Sequence, residues 1–256
     1  MKIWYSRVFL TAALMGVLTG CVTTTNRAPV NTEAAHDKRI ELGMKYLEVG
    51  KRDNARWQFS KAMELKKNSA EAYHGIALLH QANGEMAHAD ESFKKALRYA
   101  EPKQLSPIQV SYGRYLMDTG EAKKACDLFE KAAEDFDYQG RPEALYFAGQ
   151  CAQKTGNTAR VKPAYEHALN LNPQFVMPMV ELAEIYFREG EYAKSKRLLT
   201  HFEKLAKPTP ASLWLGIRIE RIFGNKDKEA SYALALKNLH PYSKEYLEYR
   251  QTIEQK

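Results

Sequence analysis

The chain has 256 residues, 45% of them apolar and 27% charged, with ten prolines, so it has the makeup of a globular protein with enough apolar residues for a sizeable core. Its formal net charge is +7. The lysines toward the end of the chain alternate with acids, whereas nucleic-acid binding needs clustered Arg and Lys interleaved with aromatic platforms, so nucleic acid is not an expected partner.

Residues 1–20 read as a removable signal. Lys2 and Arg7 make a positive start, and residues 8–18 form an apolar run of eleven, too short to cross a bilayer as a mature helix. Leu18-Thr19-Gly20-Cys21 then resembles a bacterial lipobox, with small residues just before a cysteine. The resemblance implies a diacylglycerol on the sulfur of Cys21 and an acyl chain on its new amine. Several acyl chains anchor a protein stably where one does not. Cleavage removes two of the chain's cations, Lys2 and Arg7. Residues 22–35, rich in Thr, Asn and Pro, read as a disordered tether with a reach on the order of 20 Å.

From residue 36 onward helix formers dominate and apolar residues recur at helical spacing. Gly50, Gly84, Gly120, Gly156, Gly190 and Gly224 mark a register of 34, 36, 36, 34 and 34 residues. Seven positions before each stands Gly43, Ala77, Gly113, Gly149, Ala183 and then Ile217, with Gly216 beside it. Five after stand Ala55, Ala89, Ala125, Val161 and Ser195; nine after, Phe59, Phe93, Phe129, Tyr165 and Leu199; twelve after, Ala62, Ala96, Ala132, Ala168 and Phe202. Small residues permit close helix approach, and the aromatic wedges between helices. The pattern is similar to the tetratricopeptide (TPR) repeat.

The expectation is an all-α chain: a right-handed TPR superhelix of about six helix-turn-helix repeats with a C-terminal capping helix. The repeats fall at about 36–69, 70–103, 106–139, 142–175, 176–209 and 210–243 of a solenoid running over 36–256. The longer spacings place loop extensions near Gln104 and Leu105 and near Gln139 and Gly140. The sixth repeat departs from the pattern and residues 243–253 form a charged helix beyond it, as a solenoid cap should.

Cys126 and Cys151 fall on neighbouring helices in the register, so a disulfide is open to them in an oxidising compartment; two buried thiols are the other reading. No catalytic motif occurs, so no enzyme activity is expected. His74, His80 and His88 are six and eight apart, spacings that do not set two imidazoles on one helical face, so no metal site is expected. No cofactor is expected beyond the lipid on Cys21.

What remains is the concave face that first helices line. In the register it carries Ile40, Met44 and Leu47, then His74, Leu78 and Gln81, then Val110, Arg114 and Met117. Tyr146, Gln150 and Gln153 follow, then Val180, Glu184 and Phe187. The early part is apolar and suits a docked peptide or helix, with Met44 and Met117 as adaptable contacts. The other reading packs these side chains on one another or on the N-terminal segment.

Several stretches carry a closer resemblance. They are Ala125-Cys126-Asp127-Leu128-Phe129-Glu130, Ala148-Gly149-Gln150-Cys151, Glu181-Leu182-Ala183-Glu184-Ile185-Tyr186 and, above all, Leu213-Trp214-Leu215-Gly216-Ile217-Arg218-Ile219-Glu220. With the tail His240-Pro241-Tyr242-Ser243-Lys244-Glu245-Tyr246, the lipobox and the repeats, the chain resembles the PilF/PilW family of type IV pilus biogenesis lipoproteins, pilotins of the secretin PilQ. The family ending has Phe where His240 stands. The resemblance implies a monomeric lipoprotein on the periplasmic face of the outer membrane, in keeping with Val22 after the cysteine. It implies that the protein helps secretin subunits reach that membrane and multimerise, so that pilus assembly and twitching motility depend on it. A TPR lipoprotein serving outer-membrane protein assembly or a cell-wall enzyme complex is the alternative.

Overall fold

The computed structural model describes residues 31–254. Residues 1–20, the lipobox cysteine Cys21 and residues 22–30 lie outside them. Thirteen α-helices and no strand occur among the described residues. They pair as hairpins: α1 (Thr32–Glu48) with α2 (Arg52–Leu65), α3 (Ala70–Ala82) with α4 (Met86–Tyr99), and α5 (Pro102–Asp118) with α6 (Ala122–Glu134). Then come α7 (Arg141–Lys154) with α8 (Thr158–Leu171), α9 (Met179–Arg188) with α10 (Tyr192–Leu205), and α11 (Pro210–Ile222) with α12 (Lys226–Leu239). A last helix, α13 (Lys244–Glu254), closes the stack. The architecture is the TPR superhelix that the register implies.

One turn geometry is used six times. Each turn glycine has a positive φ, from 69° at Gly224 to 88° at Gly120, a left-handed conformation in which a Cβ is strained. The residue after it donates its N–H back to a carbonyl five residues earlier, as in Glu85 to His80 at 2.9 Å and Glu121 to Leu116 at 2.8 Å. That bond satisfies a carbonyl orphaned at the helix end and aims the second helix back along the first.

Within and between hairpins an aromatic fills the angle. Phe59 and Phe129 are fully buried. A Cβ on Gly43 or Gly75 would sit 2.4 or 2.3 Å from the Phe59 ring, so only glycine admits the two first helices that flank it. Gly113 and Gly149 clear Phe129 and Tyr165 in the same way. In the sixth repeat both partners move back one position: Gly216 faces Tyr232.

Three details differ from the sequence expectation. Helix α1 starts at Thr32, inside the stretch read as tether through residue 35, because Asn31 caps it by accepting the Ala34 N–H at 3.0 Å. Gln104 and Leu105 are not a loop; they lengthen α5 by its first turn, where Pro102 opens the helix and the Gln104 side chain accepts the Glu101 N–H at 2.8 Å. The Gln104 amide also bonds Glu71 on α3, which ties the second and third repeats. The last helix begins at Lys244, and Trp214, Tyr246 and Tyr249 pack with Leu213, Ile217 and Leu236 where it covers α11 and α12.

Cys126 on α6 and Cys151 on α7 are joined as a disulfide with Cα atoms 5.5 Å apart. The bridge links the second helix of repeat three to the first helix of repeat four, at the middle of the stack.

Candidate functional site

The concave face divides into an early strip and a late cleft. On α1, Ile40, Met44 and Leu47 fall on one stripe at helical spacing, all half-buried, and none belongs to a buried core cluster. Leu78 on α3 and Met117 on α5 continue the strip but already lean on the central core. Two residues expected there do not serve it. Val110 is only 4% exposed and belongs to the core between α3 and α5, because adjacent first helices approach closely enough to enclose it. His74 is turned inward against Phe93, with ring centroids 6.1 Å apart. Its Nε2 is buried without a partner, and burial pushes its pKa down to about 4.

The late cleft, about 670 Å³, is walled by α7, α9, α11 and α13. Here the register assigned Tyr146, Gln153, Val180 and Glu184 to the concave face, and all four line it. Trp214 and Arg218 stand one helical turn apart on α11 and complete the wall. Arg218 grips the Glu184 carboxylate with two nitrogens, one of them at 3.1 Å. Its guanidinium also lies 4.8 Å from the Phe187 ring and 5.2 Å from the Trp214 ring. Arg188 adds a bond to the same carboxylate at 3.0 Å. Burial would raise Glu184, but the two arginines outweigh it and hold its pKa low.

Glu181, beside it, is the opposite case. Burial raises its pKa; its own backbone N–H and the Tyr146 hydroxyl, 3.3 Å away, lower it less. Among the described residues no cation pairs with it. The Tyr165 hydroxyl, on a residue 1% exposed, reaches the same cleft without a hydrogen-bond partner. Met177, 47% exposed, supplies apolar surface at the rim. The face therefore offers aromatic and aliphatic surface with a few oriented polar groups, the chemistry of a peptide groove.

The register does not single out Glu181, Arg218 and Trp214 as site residues, because it names only side chains pointing straight into the concavity. The Trp214-to-Glu220 stretch stands out in the sequence for its resemblance alone. One pair the sequence kept apart is brought together: His80 and His88 meet across the turn of the second repeat, with ring centroids 5.4 Å apart.

A TPR family model, tetratricopeptide repeat, matches residues 70–102 and 142–175. The type IV pilus assembly protein PilF of Pseudomonas aeruginosa is 31% identical over 237 residues, which span 91% of this chain and 93% of that protein. A solved structure of Pseudomonas aeruginosa PilF superposes with a TM-score of 0.81 at 29% identity, over 86% of this chain and 99% of its own. The structure of PilW, described as a widely conserved type IV pilus biogenesis factor, shares the fold with a TM-score of 0.67 at 23% identity, over 84% of this chain and 97% of its own.

Proposed function

The chain belongs to the PilF family of TPR-containing type IV pilus assembly proteins, and on that premise we propose that it is a pilotin that carries the pilus secretin to the outer membrane and promotes its multimerisation. The observation that supports this reading most is the identity to PilF, which runs along nearly the whole of both chains. In this reading Cys21 carries the lipid that holds the protein on the periplasmic face of the outer membrane. The protein acts as a scaffold. A secretin segment lies along the concave face, with its apolar side chains on Met44, Leu47 and Leu78.

No chemistry is required for that task. Each Leu or Met side chain fully buried in the complex contributes roughly 1.5–3 kcal/mol, and helices already packed into a superhelix lose little further entropy on binding. A charge introduced on the strip has to be desolvated by the partner, which costs more than the burial it replaces.

The test is co-purification. The full chain, extracted from the envelope in mild detergent, should bring down the secretin. The Met44→Glu, Leu78→Glu double variant should lose it while keeping helical circular dichroism. Recovery of barrel-assembly proteins or cell-wall enzymes in place of the secretin would refute the proposal. For the anchor, radioactive palmitate should label the wild-type chain and not Cys21→Ser; undiminished label in the variant would remove Cys21 from the reading.

A further inference from the structure

We propose that the hairpin of the second repeat binds one divalent transition-metal ion, of the zinc class, through His80, Glu85 and His88. These residues sit at the end of α3, at the residue preceding α4 and in the first turn of α4. Each offers one ligand atom, and the three atoms lie within 4.8 Å of one another.

The convergence follows from the turn. Gly84 has a φ of +78°, and the Glu85 N–H bonds the His80 carbonyl at 2.9 Å, which fixes the two helix ends against each other. Positions four before, one after and four after the turn glycine are thereby brought to one spot. Other repeats show the same geometry with other chemistry. Glu121 pairs with Lys124 in repeat three, and Glu191 pairs with Lys194 at 3.3 Å in repeat five. In repeats three to six the last of the three positions holds Lys124, Arg160, Lys194 or Lys228, a cation that would repel a metal; in repeat one it holds Asn54. The first position holds Tyr46, Leu116, Ala152, Tyr186 or Glu220. Only the second repeat places an imidazole at both, with a carboxylate between.

The ligand set fits a definite class of ion. Two imidazoles and one carboxylate suit zinc and its neighbours rather than magnesium or calcium, which want oxygen. Zinc bonds of about 2.0–2.2 Å to nitrogen and oxygen put tetrahedral ligands about 3.3 Å apart. His88 is exposed and free to close that distance, whereas His80 is half-buried and already hydrogen-bonded through Nδ1 to the Glu85 carboxylate. The Asn83 amide holds the other carboxylate oxygen at 3.4 Å. The ion takes the place of the proton between His80 and Glu85 and keeps at least one open position for water or for a side chain from a partner. Bound there, it clips α3 to α4 and stabilises the folded chain by mass action.

The test uses the full-length chain, untagged, stripped of metal and kept in detergent. Titration with zinc chloride should show one ion bound per chain and a raised melting temperature. His88→Asn, at an exposed position that leaves the fold intact by circular dichroism, should weaken binding by roughly tenfold or more. His201→Asn, a substitution of an exposed histidine in the fifth repeat, should leave it unchanged. Cobalt in place of zinc should give visible absorption bands of a four-coordinate site, absent in His88→Asn. No zinc uptake by the wild-type chain, or undiminished uptake by folded His88→Asn, would overturn the proposal.

Discussion

Gly75 and His74 stand side by side on α3 and fail in different ways when changed. A methyl on Gly75 would lie 2.3 Å from the Phe59 ring, which is itself fully buried. Gly75→Ala should therefore cost about 1–3 kcal/mol through overpacking, although alanine is the better helix former. Thermal unfolding checks this, and an unchanged or raised midpoint would mean that the ring moves freely. His74 is sensitive to acid. Burial lowers its folded pKa from the usual 6.5 to about 4, with Glu71 opposing weakly. Above pH 6.5 the imidazole is neutral in both states and adds no pH dependence. Below that the unfolded chain gains a proton that the folded chain refuses, so stability is lost as pH falls from 6.5 toward 4, on the order of 3 kcal/mol from this group. His74→Leu should flatten that part of the stability profile. Parallel profiles for the two proteins would show that His74 is hydrated. Nothing in the sequence separates His74 from a groove residue, since its position in the helix is that of one; its burial comes with its turn inward against Phe93 of the same hairpin.

At the level of the helices, the bridge between α6 and α7 closes a 25-residue separation, worth about 3.5 kcal/mol on the chain-entropy model. With Cys21 replaced by Ser, unfolded and unreduced protein should show no free thiol, and Cys126→Ser should lower the melting temperature as much as the double cysteine variant does. Two titratable thiols would contradict the pairing. The end of the stack matters in another way. Truncation after Pro208 removes α11 to α13 and uncovers Met179, Leu199 and Phe202, which pack with Leu215 and Ile219 of α11. That protein should aggregate; a soluble monomer with an unchanged melting point would show that the fifth repeat caps itself. The hairpins themselves were legible in the sequence because the turn glycine and the small and aromatic partners are local choices repeated at fixed distances. The longer α5 was not, since two extra residues read equally well as loop until Gln104 is seen to cap its own first turn. Val110 is assigned by the register to the groove instead of the core, and the His80–His88 pair escapes it, for a related reason. A helical-face argument treats one helix at a time, whereas Val110 is enclosed by a neighbouring helix and the histidines meet across a turn.

At the scale of the whole molecule, a superhelix of hairpins turns a one-dimensional repeat into a long concave surface, with the early apolar strip at the end that continues toward Cys21 and, at the other, the late cleft with its Arg218–Glu184 pair set in aromatic and aliphatic walls. In the proposed role the early strip holds the partner and the late cleft is left for other contacts. Among the described residues no helix is long and apolar enough to span a bilayer. The proposed role assigns the anchoring to the lipid on Cys21. The measurement that tests the role most directly is the yield of heat-resistant secretin multimers in outer-membrane fractions of a strain lacking this chain, compared with the same strain complemented by the wild-type chain and by Met44→Glu, Leu78→Glu. Multimers should vanish on deletion, return with the wild-type chain and stay absent with the folded, lipidated double variant; parental levels of multimers in the outer membrane of the deletion strain would contradict the pilotin role.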